Sequence, residues 1–220
     1  MTAQDEDAPP VEDLVCRVEL APGWVDLTLA TGTRAEAEAL ARRTVELYGP
    51  RGLRIEEKAL FDDVADRAVA LNAEGPVMAA AFYSASGEAV VDFVVDTYLD
   101  GQPEESAPAA GLDEAESLLL DWAGGGGTAV APEVTYPDLP SGSAVRVRSQ
   151  VRTKQFLGLW RQDSGSLTYA VLPPGVRSLV LASFTWRNMA QSEKVTELAD
   201  ELMATMRVEP AGRAEPAGSP

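Results

Sequence analysis

The stretch EAVVDFVVDTYL, residues 88–99, alternates in a way that admits one reading. Ala89, Val91, Phe93 and Val95 fall on one side of an extended chain, and Glu88, Asp92 and Asp96 on the other, which is the period of a half-buried strand and not of a helix. Just before it, VMAAAFYSA (77–85) is a second apolar run, and Ser86-Gly87 lies between the two. Together they predict a β-hairpin.

Period-2 segments recur downstream at 128–136, 144–161, 166–172 and 176–187. Their punctuation is Pro140-Ser141-Gly142, Asp163-Ser164-Gly165 and Pro173-Pro174-Gly175, the pattern of an antiparallel meander. Upstream, LVCRVEL and WVDLTLA read as strands on either side of Ala21-Pro22-Gly23. Thr33-Arg34-Ala35-Glu36 has the form of a capping box and opens a helix closed by Gly49-Pro50. Apolar spacing predicts a second helix over 53–73 that buries Leu60, Phe61, Val64, Ala68 and Leu71. A short helix follows over 112–123, and a last one over 191–207 buries Val195, Leu198, Ala199, Leu202 and Met206. Hairpin-linked strands with helices before, between and after them predict an α+β fold, an antiparallel β-sheet flanked by helices as an α/β/α sandwich.

The chain has 220 residues, enough for one well-buried core. Residues 1–10 are acidic and end in Pro9-Pro10, and 209–220 repeat Glu-Pro-Ala-Gly, so both read as disordered tails around a single domain over 11–208. The net charge is −17, which opposes adhesion to nucleic acid or to an anionic membrane surface. Among the basic residues, 15 Arg stand against 3 Lys, a bias typical of high-GC genomes. The lone Cys16 cannot form an internal disulfide, the N-terminus has no basic-then-apolar signal, and no apolar run reaches membrane-spanning length. These features predict a cytoplasmic protein.

The sequence contains no histidine. That removes Ser-His and Cys-His nucleophile pairs and most zinc sites. Four glycines, Gly124–Gly127, follow a helix and precede a strand, the reverse of the order a phosphate loop needs, so they read as a connector. Asp62-Asp63-x-x-Asp66 has the spacing of a magnesium-diphosphate motif, but the second metal motif of such enzymes is missing. The alternative is a solvated acidic helix face on which Asp63 and Arg67 make an exposed pair. Cys16 reads as a buried structural thiol. No catalytic set is found, no metal or cofactor is expected, and the protein is read as not an enzyme. Carboxylates or Tyr48, Tyr83 and Tyr98 are the groups an alternative small-molecule binder or enzyme would use, with a pocket between sheet and helices.

One feature rises above background. In AVRVRSQVRTK (144–154), Arg146, Arg148, Gln150, Arg152 and Lys154 alternate with valines, and no Asp or Glu occurs between Arg146 and Arg161. This basic face either pairs with Glu88, Asp92 and Asp96 on a neighbouring strand, at about 0.2–1 kcal/mol per pair, or is free to bind. A free face would dock an acidic partner protein through Arg146, Arg148, Arg152, Lys154 and Trp160, or line a nucleic-acid groove, for which the interleaved aromatics are too few. The four tryptophans read as core or half-core, with a rim patch at Trp160 and Trp186 as the alternative.

APGWVDLTL, LTYAVLPPGVRSLVLASFTW and the following KVTELADELMATMRV resemble, in the order of their elements, the entry strands, closing strands and C-terminal helix of PsbP-like proteins. That family includes an extrinsic photosystem subunit, a Ran-binding import factor and actinobacterial lipoproteins of the LpqN kind. The resemblance covers residues 20–208 and implies an antiparallel sheet between helices, with a binding, adaptor or assembly role and no catalytic residues. The chain departs from the lipoproteins in lacking a lipidated cysteine. The sequence as a whole predicts a non-catalytic interaction or adaptor module, an accessory of a larger assembly such as a secretion machine, with an unknown protein partner.

Overall fold

A computed structural model describes residues 14–49, 55–98, 111–124, 131–155, 160–176 and 178–210, with 151–155 and 160–162 described by their backbone. The two sequence-predicted tails and residues 125–130 of the glycine connector lie outside these residues, but for Glu209 and Pro210, which close the last strand.

In chain order the elements are β1 (Leu14–Arg17), β2 (Trp24–Asp26), α1 (Arg34–Tyr48), α2 (Glu57–Leu71), β3 (Met78–Tyr83) and β4 (Ala89–Tyr98). Then come α3 (Leu112–Gly124), β5 (Glu133–Thr135), β6 (Asp138–Leu139), β7 (Gly142–Gln155), β8 (Trp160–Leu172) and β9 (Leu179–Trp186). A 3₁₀ turn at Met189–Gln191 leads into α4 (Ser192–Thr205) and β10 (Arg207–Pro210). Among the described residues all pairings are antiparallel. The main sheet runs β2-β3-β4-β9-β8-β7-β5, with β6 also on β7, and β1 pairs with β10 in a separate ribbon.

The expected β3–β4 hairpin and the β8–β9 turn at Pro173–Gly175 are present. Three local expectations are corrected. Asp163-Ser164-Gly165 is not a turn but part of β8, because the β7–β8 pairing continues outward to Gln155 opposite Trp160. The strand expected over 128–136 shortens, in its described part, to Glu133–Thr135, bounded by Pro132 and Pro137, neither of which can donate to a ladder. The second helix starts at Glu57 and not at Leu53.

Local chemistry explains the helix positions. Glu36 N–H donates to Thr33 Oγ1, as a capping box requires, but the Glu36 carboxylate accepts from Ala30 N (2.7 Å), Thr31 N (3.0 Å) and Thr31 Oγ1 (2.8 Å) and so orders the chain entering α1. Those three donors hold the Glu36 carboxyl below its ordinary value. At the far end of α2, Asn72 donates to Leu27 O (2.8 Å) and accepts from Leu29 N (3.0 Å), prolonging β2 with a side chain. Gly142, at φ +136°, turns β6 into β7 where a Cβ would strike the Leu172 carbonyl.

The sheet is buried on both faces. On one, α4 and the β1–β10 ribbon cover Phe93, Leu167, Tyr169, Ala182, Phe184 and Trp186. Trp24 lies edge-on to Phe82, Phe93 and Phe184, and Phe93 stacks on Phe184 at 4.6 Å. On the other face, α1 and α2 cover the β2–β3 end through Leu60, Val64, Ala68, Ala79 and Ala81, while α3 covers the β7–β9 end through Ala115, Leu119, Val145 and Leu181. The fold is α+β, with helices on both sides of an antiparallel sheet.

Candidate interaction surfaces

The basic row of β7 divides along its length. Arg146 lies under α4: its Nε is 3.7 Å from Asp200, and its guanidinium carbon is 6.0 Å above the Tyr169 ring. Tyr169 Oη donates to the same Asp200, and burial and that carboxylate both push the phenol above its ordinary value. Arg148 donates to Glu193 of α4 at 2.9 Å and has Glu133 of β5 at 4.0 Å. Both arginine side chains are only about one-fifth exposed, 19% and 20%. They form intramolecular contacts that fasten α4 to the sheet. Arg152, Lys154 and Trp160 are placed by backbone register, opposite Asp163, Arg161 and Gln155 respectively.

The acidic row of β4 is not the partner of this basic row. Asp92 stands opposite Thr185, Thr185 opposite Ser166, and Ser166 opposite Ser149, so β9 and β8 lie between the two rows. Residues opposed across a sheet share a face, which places Asp92 on the same side as Ser149 and opposite to Arg148. The expected cross-strand ion pairs are thereby overturned. The cation of Asp92 comes from helix α2: Arg67 Nη1 donates to its two oxygens at 2.6 and 2.8 Å. Burial raises the Asp92 carboxyl from its ordinary value, and the Arg67 charge opposes that shift.

The aspartates of the metal-like motif each have another partner. Lys58 pairs with Asp62, Arg34 with Asp66, and Arg67 with Asp63 at 2.9 Å. Tyr83 Oη also donates to Asp63 at 2.8 Å. The Asp63–Arg67 pair is half-buried and not fully exposed as expected, because Arg67 reaches past Asp63 to the sheet. Among the described residues, no group of three or more His, Cys, Asp or Glu could hold a metal ion. Of the other tyrosines, Tyr48 lies 3.5 Å from Ser84 O, and Tyr98 meets Trp122 edge-on. No two of Tyr48, Tyr83 and Tyr98 share a hydrogen bond.

Trp186 is buried and donates to Ser192 Oγ at 3.0 Å, which removes it from any rim patch. Among the tryptophans whose side chains are described, Trp122 is the exposed one, at 52%. Sequence reasoning placed it in or near the core; the signal against that is the Ala115-Leu119-Ala123 stripe, which points α3 inward and leaves Trp122 on its flank. With Leu119, Val147, Ser149, Ser166 and Thr168 it borders a cleft of about 110 Å³, and α1 and α2 border another of about 270 Å³ beside Val45 and Phe61.

The β7–β8 hairpin outruns the sheet. On its outer side β5 pairs with β7 only at Arg146–Arg148, and on its inner side β9 pairs with β8 no farther than Gly165. Beyond those points the β7–β8 ladder continues through Val151–Gln155 and Trp160–Ser164, as a two-stranded arm.

No protein-family model matches the chain, and no curated protein matches it. Among solved structures it is similar to LpqN of Mycobacterium tuberculosis, a protein involved in cell envelope biogenesis. The identity is 8% and the TM-score 0.45, over 92% of this chain and 87% of that one. It is also similar to the Ran-binding protein Mog1p of Saccharomyces cerevisiae, at 12% identity and a TM-score of 0.36, over 53% of this chain and 67% of that one. Both likenesses are of fold alone. Among the described residues no helix is long and apolar enough to cross a membrane.

Proposed function

We propose that this chain is a non-catalytic protein-interaction module, an accessory of a larger assembly, and that the β7–β8 arm is its contact element. The observation that supports this is the projection of a paired hairpin beyond a sheet that β5 and β9 stop flanking at Arg148 and Gly165. A ladder that runs past its flanking strands presents edge N–H and C=O groups that a partner strand can satisfy. The two clefts are smaller than the roughly 300–1,000 Å³ of small-molecule sites, which weighs against the ligand-binding alternative. The lone, half-buried Cys16 suits a reducing compartment such as the cytoplasm.

The test is affinity purification of the full chain from its native host beside a variant with a shortened arm. In that variant Asn-Gly replaces residues 152–163 and joins Val151 to Ser164, which already face each other. The expected result is an unchanged thermal melt and the loss of a stoichiometric partner. Retention of the same partners by the shortened protein would remove the basis for this reading.

A further inference from the structure

We propose that the flank of α3 carrying Trp122 is a second contact surface, and that it receives an arginine-containing segment of a partner protein. The site is separate from the β7–β8 arm and does not rest on the role proposed for that arm.

Three observations carry it. First, Trp122 is braced and yet presented to solvent. Ala115, Leu119 and Ala123 bury one stripe of α3 against Val145, Val147 and Leu181, and Trp122 stands beside that stripe with half its surface exposed. Its ring meets Tyr98 edge-on at 6.1 Å. An indole presented in this way is the kind of side chain that dominates protein contacts, and its π face attracts a guanidinium.

Second, a recess lies beside the indole. The cleft of about 110 Å³ that Trp122 borders runs between Leu119 and Ala123 of α3 and Ser149, Ser166 and Thr168 of the sheet. It is too small for a metabolite and suits a single aliphatic side chain.

Third, the surrounding charge has one sign. Glu114, Leu118, Asp121 and Trp122 occur at i, i+4, i+7 and i+8, so they share one flank of the helix. Glu114 and Asp121 are exposed, and among the described residues neither makes an ion pair. No Lys or Arg occurs from Asp92 to Val145, so the segments that join α3 to its neighbours in sequence carry no cation. The fold explains Glu114, because a carboxylate in the first turn favours the helix dipole. It does not explain Asp121. That residue stands in the last turn, where the carbonyl end of the helix opposes an anion and where no basic residue lies. A carboxylate at an unfavourable position beside an exposed indole fits a cation supplied from outside. An arginine satisfies both, stacking on the ring and pairing with the acid.

The experiment uses the full-length protein and a fluorescein-labelled peptide of about twelve residues, with Arg and Leu at helical spacing and no tryptophan. Beside it run the same peptide with citrulline at every Arg and an oligo-arginine of equal length. Wild-type protein is expected to bind the Arg–Leu peptide at least about tenfold more tightly than either control. Trp122→Ala should weaken that binding by about tenfold or more, and Asp121→Asn by about twofold to fivefold. The Asp121→Asn melt should hold or rise, because the substitution removes the charge that the helix end opposes, so its weaker binding is not a loss of fold. Glu46→Gln removes an exposed acid on α1 and should leave binding unchanged. Unlabelled peptide should shift tryptophan emission to the blue in wild type and not in Trp122→Ala. The protein with the shortened arm should bind the peptide like wild type.

No binding of the Arg–Leu peptide, or binding matched by either control, would overturn the proposal, as would an unaltered affinity in Trp122→Ala. A wild-type dimer that Trp122→Ala converts to monomer would overturn it too, because the occupant would then be a second copy of this chain. Loss of peptide binding by the shortened protein would move the site to the arm. None of these results bears on the arm's own role, which is read from the cellular partner alone.

Discussion

Arg67 of α2 grips Asp92 of β4 through one nitrogen, Nη1, bonded to both carboxylate oxygens at 2.6 and 2.8 Å, while its Nη2 donates to Asp63 at 2.9 Å. One guanidinium thus connects a helix to the middle of the sheet and holds the carboxylate that also accepts from Tyr83. The Arg67 and Asp92 side chains are 21% and 23% exposed, so solvent screens the pair only in part.

Removing one partner of such a pair is costly because the other stays charged and half-buried. Arg67→Leu is expected to lower unfolding free energy by about 2–3 kcal/mol, below the figure for a fully buried pair. Arg67→Leu with Asp92→Asn should recover a large part of the loss. Urea unfolding of the two single variants and the double variant measures the coupling, and strictly additive losses would show that the two side chains act independently.

Gly165 is placed for close approach and not for turning. Trp186 lies directly across from it, and a Cβ on residue 165 would overlap Cε2 and Cζ2 of the indole. That indole is buried and fixed by its bond to Ser192 Oγ at the start of α4. Gly165→Ala is expected to destabilise by about 1–3 kcal/mol, the range for overpacking a formed core, and to weaken the near-ultraviolet circular dichroism of the buried tryptophan. Gly165→Ala in a Trp186→Phe background should cost less than in the wild type. An equal cost in both would place the strain elsewhere.

Cys16 sits in β1 opposite Val208 of β10, and burial pushes its thiol up to about 11. Because the folded value lies above the unfolded one, the contribution of Cys16 to stability is intact below the unfolded value of 9.0 and is lost as pH rises through about 11. At pH 8 the folded thiolate population is about a hundredth of the unfolded one. Alkylation by iodoacetamide at pH 8 should therefore be roughly 100-fold slower in native protein than in urea. Native and urea rates within a few-fold of each other would show that the β1–β10 ribbon opens readily.

The elements of this fold were more legible than their neighbours. Alternation in 77–85 and 88–99 identified β3 and β4, and Thr33 with Glu36 identified the start of α1, because these signals are local. Alternation also sorted Arg146 and Arg148 from Val145 and Val147, but it says which residues share a face and not which strand lies alongside. That β4 meets β9, and that β1 meets β10 across nearly the whole chain, depends on packing between distant segments. The same distance hid the acids of α4, Glu193 and Asp200, from the arginines they meet. Asp163-Ser164-Gly165 misled for a different reason: its glycine makes room for an indole that the sequence brings past only 21 residues later.

The division of the basic row predicts two kinds of behaviour along one strand. Arg146 is held between Asp200 and the Tyr169 ring in a half-buried site, so Arg146→Ser removes packing as well as charge and should cost about 1–2 kcal/mol. Arg148→Ser should cost no more than about 1 kcal/mol, because its acids, Glu193 and Glu133, are themselves well exposed at 85% and 63%. Lys154→Ser, past the last residue that β5 pairs, should leave the melt unchanged. The order of melting temperatures should then be Arg146→Ser lowest, Arg148→Ser next and Lys154→Ser highest. A Lys154→Ser melt as low as that of Arg146→Ser would mean that the arm is an integral part of the folded core, and the contrast between its inner and outer cations would collapse.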